Sequence, residues 1–319
     1  MNATRLARFA VQYQGGANEL LEASGTLALL GFGEAAIRED PRALRVPLSA
    51  PGAAPRELWW VDAEVDCGRE GSLHWSAGGG WLFAALDVHE SEHGGIEAAS
   101  EFAYGTLCGF VAARAEHHLL RLWNYLHAIN EGEGDAERYR QFCIGRGRGL
   151  AAHGIHSYPA ATAIGHRDTP GLLQLYALCA TRPGEALENP RQVSAWRYPR
   201  QYGPTPPSFA RALKLPNGDL AISGTAAVVG HASQHGADVA AQVRETCINL
   251  RALLDTLGVR DFDATSPLKV YVRDPEDAPV IESVLADRLD ASVPRVLLVG
   301  DICRRELLVE VDGWHLAPR

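Results

Sequence analysis

Two rhythms of apolar residues run through the second half of this 319-residue chain. Val239, Val243, Thr246, Leu250, Leu253 and Leu257 recur at steps of three and four, the spacing of one buried helix face. Asp238 stands where an N-cap belongs and Gly258 where a left-handed residue ends a helix. A second helix is predicted over residues 275–289, with Pro275 in its first turn and Val280, Ile281, Val284 and Leu285 as its apolar face. Strands are predicted over 268–273, 295–299 and 306–311. Upstream, residues 211–215 lead through Pro216-Asn217-Gly218-Asp219, a hairpin signal, into a strand over 220–229 broken at Ser223-Gly224-Thr225. The order is β-β-α-β-α-β-β. Helical crossovers permit parallel pairing and a hairpin imposes antiparallel pairing, so the expected fold is α/β with mixed sheets packed against helices.

The first half reads as a weaker copy of this plan. A hairpin-rich stretch covers 57–88, with a turn cluster at Ser76-Ala77-Gly78-Gly79-Gly80. A helix is predicted from about residue 98 to 130. Its end, Leu122-Trp123-Asn124-Tyr125-Leu126, resembles Ile248-Asn249-Leu250-Arg251-Ala252, and Gly171 to Tyr176 resembles Glu306 to Val311. Such self-similarity points to an internal duplication. It divides the chain into a 1–187 domain and a 188–319 domain whose first segment, 188–207, has no helical or strand period. That segment carries Arg191, Arg197, Arg200, Tyr198, Tyr202 and five prolines. It is either a linker or a rigid loop that holds a planar anion, the ligand that arginine's planar fork fits.

Composition narrows the function classes. Hydrophobic residues make up 46% and charged residues 22%, a globular balance. The net charge is −9 with the cations scattered, so the basic stripe of a nucleic-acid binder is missing. A positive pocket for a small anion remains compatible with it. No apolar run approaches the ~20 residues of a membrane span, and the N-terminal segment lacks the apolar stretch of a signal peptide. Six cysteines without CxxC spacing read as reduced thiols of a cytoplasmic protein. Gly145-Arg146-Gly147-Arg148-Gly149 matches no phosphate loop, and the histidines lack a metal-binding i,i+4 pair on one helix. More informative is Glu310, which interrupts Leu307-Leu308-Val309-Glu310-Val311. Alternation puts Leu308, Glu310 and Asp312 on one face. That face is either the wet side of the strand or the wall of a cleft. In a cleft, desolvation would raise the pKa of the carboxyl and suit it to act as a general acid.

Ser223-Gly224-Thr225-Ala226, the helix with Asn249, the run Leu268-Lys269-Val270-Tyr271-Val272-Arg273 and the Arg295…Glu310 pair resemble the reactive-intermediate deaminase (Rid) family over about residues 213–311. Arg197-Tyr198-Pro199-Arg200-Gln201-Tyr202-Gly203-Pro204 and Tyr139-Arg140-Gln141-Phe142-Cys143-Ile144-Gly145-Arg146 are, together with that half, similar to the chorismatases. The resemblance spans most of the chain beyond about residue 100. It implies two Rid-like halves in a pseudo-trimeric arrangement and an enzyme that releases pyruvate from chorismate. Glu310 would protonate the enolpyruvyl methylene. Cys303 matches a cysteine of the members that aromatise the ring to 3-hydroxybenzoate, and Ala226 a small-residue position that differs between subtypes. Arg295, with Arg146, Arg200 and Arg211, would clamp the two substrate carboxylates, and Tyr202 and Ala226 would also contact the substrate. Leu175 stands at the place of Glu310 in the first half, implying one site per chain. The resemblance also implies that the partner is the small molecule chorismate, with no metal or other cofactor, no nucleic acid and no membrane. The chain would be a monomer or small homo-oligomer. The expected products are pyruvate and 3-hydroxybenzoate, alone or with 4-hydroxybenzoate. The alternatives are hydrolysis to 3,4-dihydroxycyclohexa-1,5-diene carboxylate, imine deamination of the ordinary Rid type, and a non-catalytic binding module.

Overall fold

Strands β1 (Phe9–Gln14), β2 (Thr26–Phe32), β3 (Ala43–Val46) and β4 (Arg56–Val61) pair in the order β1-β4-β2-β3 to form a first sheet. This computed structural model describes residues 6–15, 18–33, 38–52 and 55–317. The first five residues of the N-terminal segment read above lie outside them. A second sheet is built from β5 (Asp66–Glu70), β6 (Leu73–Gly78), β7 (Trp81–His89), β8 (His118–His127), β9 (Ala160–His166) and β10 (Leu172–Ala180). Helices α1 (Ile96–Ala112) and α2 (Arg138–Ala152) form its crossovers. The third sheet begins with β11 (Glu185–Leu187), β12 (Ala212–Lys214) and β13 (Leu220–Ala226). A small hairpin, β14 (Val228–Val229) and β15 (Ala232–Ser233), precedes helix α3 (Val239–Asp255). Then follow β16 (Leu268–Val272), α4 (Ala278–Arg288), β17 (Arg295–Val299), β18 (Asp301–Ile302) and β19 (Val309–His315). The short β18 crosses over to pair with β9 of the second sheet.

The three sheets share one plan. The second contains the order β7-β10-β8-β9 and the third β13-β19-β16-β17, matching β1-β4-β2-β3 of the first. In each, the parallel pair is the one at the end of that order: β2 with β3, β8 with β9, and β16 with β17. The first sheet has a 3-10 turn (Asn18–Glu22) where the others carry a helix. Inner faces of all three sheets meet in one core that includes Phe9, Trp59, Trp123, Tyr176 and Trp314. Outer faces pack under α1 and α2 or under α3 and α4 in two further cores. The result is a mixed α/β protein of three units that share one strand order and stand in a pseudo-trimeric arrangement.

Local signals explain most of the third unit. The Asp238 side chain accepts from the Ala241 N–H and caps α3. Gly258, with φ +66°, ends the turn that follows the helix. The Ser223-Gly224-Thr225 interruption is a register shift between Ile222 and Thr225 in the β13–β19 ladder. The last strand differs from its expected 306–311 range and runs on to His315, because Asp312 and Trp314 are fully buried against the central core.

The helix expected to reach residue 130 ends at Ala112, and Leu122–Leu126 lies in β8 instead. β8 is central, and its apolar residues feed the inner core on one face and the α1–α2 core on the other. A strand buried on both faces reads as a continuous apolar run and loses the alternation that identifies it. The glycine-rich segment lies in α2, where a Cβ on Gly145 would approach the Glu97 carbonyl to 2.0 Å and one on Gly149 would approach the Tyr104 Cβ to 2.5 Å. Those glycines let α1 and α2 touch backbone to backbone. Leu175 faces the helices as Val309 and Val311 do, so the inward counterpart of Glu310 is its neighbour Gln174. The register agrees: Gln174 pairs with Tyr125 and Glu310 with Tyr271, and these two tyrosine hydroxyls meet at 3.1 Å.

Candidate active site

A cavity of about 670 Å³ opens between the second and third sheets. β9 supplies Ala161, Thr162 and Ala163 to its wall, and α2 supplies Tyr139 and Arg146. The third unit adds Arg211, Gly224, Ala226, Cys303, Arg304 and Glu310.

Glu310 lies on β19, opposite Ala226 of β13 and Tyr271 of β16. Its strand neighbours Val309 and Val311 belong to the α3–α4 core, so alternation turns the carboxyl inward. It is 5% exposed, which makes this face a cleft wall and not a wet surface. Oε1 rests against Gly224, where an added Cβ would come within 2.0 Å of it. The register shift and the missing side chain at Gly224 together make room for the acid. Burial, followed by the charge of Asp312, pushes the Glu310 carboxyl up to about 8, against the pull of Arg121, Arg211 and Arg304. At neutral pH it therefore carries its proton.

Two guanidiniums stand ready for an anion. Arg146 is 3% exposed and Arg211 is 5% exposed. Arg146 Nη2 donates to the Ser208 carbonyl at 2.7 Å. Arg211 Nη2 donates to the Val193 carbonyl and the Tyr198 hydroxyl, each at 2.7 Å. The Nε of both finds no hydrogen-bond acceptor among the described residues. A buried guanidinium left in that state is unfavourable until an anion completes its shell.

The remaining expected residues divide. Ala226 and Tyr202 line the cavity, and the Tyr202 hydroxyl lies 3.2 Å from His231 Nδ1. Cys303 also lines it, and burial followed by the Glu310 charge pushes its thiol up to about 12, so it is a neutral SH. Arg200 points outward and pairs with Asp135 at 2.9 Å, although the next residues in its loop reach the cavity. Arg295 is elsewhere: its Nε donates to Glu282 at 2.9 Å beside a separate small cavity. Tyr271 pairs with both Glu310 and Leu298, so Leu298 is the β17 residue level with the acid. Arg295 is three residues back along a strand that rises about 3.3 Å per residue, which puts it about 10 Å away along the strand.

The sequence reading missed Arg304. Its guanidinium stacks 4.0 Å over the Tyr202 ring, lies 5.1 Å from that of Tyr198, and donates to the His231 carbonyl at 2.9 Å. The signal was its place beside Cys303 and the aromatic residues of the 188–207 loop. The reading also missed Thr162, and it placed Asp312 on the face of Glu310 without giving it a role; both join Arg121 in a buried cluster behind Glu310. Among the described residues, no three His, Cys, Asp or Glu side chains cluster in a way that could hold a metal ion. The arrangement is a neutral carboxylic acid at the wall of a cavity whose lining includes the guanidiniums of Arg146, Arg211 and Arg304 and the aromatic rings of Tyr139, Tyr198, Tyr202 and Phe209. It suits a small dianion with an acid-sensitive bond.

Comparison with known proteins agrees with this chemistry. The family description "Chorismatase FkbO/Hyg5-like, N-terminal" matches residues 57–179. A protein of Streptomyces hygroscopicus named 3-hydroxybenzoate synthase is 33% identical over 290 residues, 85% of this chain and 84% of its own. A chorismatase of Streptomyces rapamycinicus is 34% identical over 278 residues, 81% of each chain. A crystal structure of a chorismatase superposes with a TM-score of 0.86 at 30% identity, covering 98% of this chain and 99% of that one.

Proposed function

The chain belongs to the chorismatase family and acts on chorismate, and from that premise we propose that its products are 3-hydroxybenzoate and pyruvate, with Glu310 as the proton donor. The observation that carries this reading is the buried Glu310 carboxyl, held neutral at the cavity wall.

Chorismate presents two carboxylates and an enol ether. The difficult step is transfer of a proton to carbon, which needs an acid of matched pKa within reach. Glu310 gives its proton to the enolpyruvyl methylene and becomes a carboxylate. Arg211 and Arg304, which favour its charged form, stabilise that product charge. Arg146 and Arg211 hold the substrate carboxylates through charge-assisted hydrogen bonds, and Arg304 adds a third cation. The oxocarbenium ion so formed is stabilised by the Glu310 anion and the bound carboxylates.

Two fates are open to that ion. Water addition consumes one water and gives the dihydroxylated diene acid. In the aromatising route an oxygen already on the ring attacks the ring carbon that bears the ether. The ether bond breaks, pyruvate leaves, and the Glu310 carboxylate takes up the released proton, leaving an arene oxide. That epoxide opens at its other C–O bond, the hydrogen of the oxygen-bearing carbon shifts to the neighbouring carbon, and loss of one ring proton with protonation of the oxygen gives 3-hydroxybenzoate. No water is then consumed, and the atoms of chorismate divide between the two products. The Cys303 thiol favours this route, because a neutral SH is a weak hydrogen-bonding group and holds an attacking water poorly. The similarity to a relative named 3-hydroxybenzoate synthase points the same way. A cytoplasmic location fits six free cysteines. No described helix is long and apolar enough to cross a membrane.

The test is to incubate the purified protein with chorismate, assay pyruvate, and identify the ring product by chromatography with mass detection. Pyruvate with 3-hydroxybenzoate is expected. Pyruvate with the dihydroxylated diene acid would overturn the product assignment, and no pyruvate above the uncatalysed background would overturn the activity.

A further inference from the structure

Behind Glu310 lies a polar cluster that the reaction as derived does not use. Asp312, two residues along β19 on the same face, is completely buried. Its Oδ2 accepts from Arg121 Nη2 at 3.1 Å, Trp123 Nε1 at 2.9 Å, the Tyr271 hydroxyl at 2.9 Å and the Thr162 hydroxyl at 2.7 Å. Lys269 Nζ stands 3.8 Å from Oδ1. Thr162 Oγ1 in turn accepts from Arg121 Nη2 at 2.6 Å and from the Gly224 N–H at 3.0 Å.

A hydroxyl offers one donor and two lone pairs. Here the donor goes to Asp312 and the lone pairs go to Arg121 and Gly224. Gly224 sits between this hydroxyl and the acid: a Cβ placed on it would lie 3.4 Å from Thr162 Oγ1 and 2.0 Å from Glu310 Oε1. Two donors close to the Glu310 carboxyl, the Thr162 O–H and the Gly224 N–H, are thereby committed elsewhere. Either of them, turned toward Glu310, would stabilise its anion and draw off its proton.

We propose that Asp312 and Thr162 are positioning residues for the acid. Asp312 orients the Thr162 hydroxyl, Thr162 occupies the Gly224 amide, and the Asp312 charge opposes a second charge on the same strand face. Glu310 is left as a protonated acid with no stabilising donor. The ionisable groups that face Glu310 fit this account. Asp312 from β19 disfavours its anion, and Arg121 from β8, Arg211 before β12 and Arg304 after β18 favour it. Tyr139 of α2 and Cys303 stay neutral beside it, each pushed up by burial first.

This inference rests on Glu310 being the acid, but its test does not require chorismate. The Glu310 carboxyl is followed by NMR in protein with isotope-labelled glutamate carboxyls, assigned by its loss in E310Q. Thr162→Val, Thr162→Ser and Asp312→Asn are compared with the wild type. In T162V and D312N the Glu310 titration is expected to fall by about 1 to 2 pH units. The alkaline limb of kcat should fall with it. T162S keeps the hydroxyl and is expected to titrate as the wild type does. If D312N does not fold, T162V against T162S decides alone. A titration unmoved in T162V, or moved equally in T162S, would overturn the proposal. A shifted titration in a protein that releases no pyruvate would leave it standing and overturn the function proposed above.

Discussion

Replacing Glu310 by Gln should raise stability while destroying turnover, and the size of both effects follows from the burial of one carboxyl. The folded protein holds the Glu310 proton up to about pH 8, against an ordinary value of 4.5 in an exposed chain. Between those values the folded state binds a proton that the unfolded state has lost, so stability falls as pH rises across this window. Below it both states are protonated and there is no penalty. The full upshift corresponds to roughly 5 kcal/mol, of which roughly 3 kcal/mol develops between pH 5 and pH 8. The near-isosteric amide in E310Q never ionises and escapes that loss. Urea unfolding of both proteins at pH 5 and pH 8 is the assay, because the difference between them cancels every other titrating group. E310Q should be more stable by roughly 1 kcal/mol at pH 5 and by roughly 4 kcal/mol at pH 8. Pyruvate release should fall on the order of 10²- to 10⁴-fold, the usual contribution of a general acid. Equal stabilities at both pH values would mean that the carboxyl is ionised and solvated in the folded protein. The argument for a poised acid would then fail.

Arg146→Met and Arg211→Met should each raise KM for chorismate by about 10- to 100-fold, the range for losing a charge-assisted hydrogen bond; an unchanged KM in both would remove them as clamps. Cys303→Ala should keep pyruvate release and move the ring product from 3-hydroxybenzoate toward the dihydroxylated diene acid, read by chromatography. An unaltered product ratio would make Cys303 an inert wall. Lys269→Met strands Glu57, which Lys269 Nζ contacts at 2.8 Å with both side chains fully buried, and should cost about 3 to 5 kcal/mol in urea unfolding. Removing both charges in Lys269→Met/Glu57→Gln should restore most of that loss, and a double variant as unstable as the single one would refute the charge argument.

The parts of the fold legible in the sequence are those where one face is dry and the other wet. Helix α3 shows its buried stripe and its Asp238 cap, and β19 shows Glu310 as a break in an apolar run. β8 hides because it is dry on both faces. Helix α2 hides because its contact with α1 is made by Gly145 and Gly149, and Arg146 points a charge into the cavity from the same helix. Strand direction is also invisible along the chain, which is why Arg295 looked like a partner of Glu310 while the parallel β16–β17 pairing carries it away.

The site itself is read poorly for a deeper reason: it belongs to no single unit. Arg146 and Thr162 come from the second unit, and Arg211, Gly224, Cys303, Arg304 and Glu310 from the third. A motif search within either unit meets half of it. The three-sheet plan then explains why one cleft carries the acid. The inward face of the last strand holds Glu310 in the third sheet, Gln174 in the second and Glu57 in the first. Gln174 is an amide and cannot serve as the acid. It donates to the Asp87 carboxyl and the Arg45 carbonyl. Glu57 is a carboxyl, but Lys269 at 2.8 Å and the Trp59 indole N–H at 2.8 Å fix it as a fully buried acceptor. Glu310 alone of the three meets a cavity, a glycine and a committed set of neighbouring donors. Acid chemistry at this position therefore depends less on having a glutamate there than on withholding from it the partners that Glu57 has.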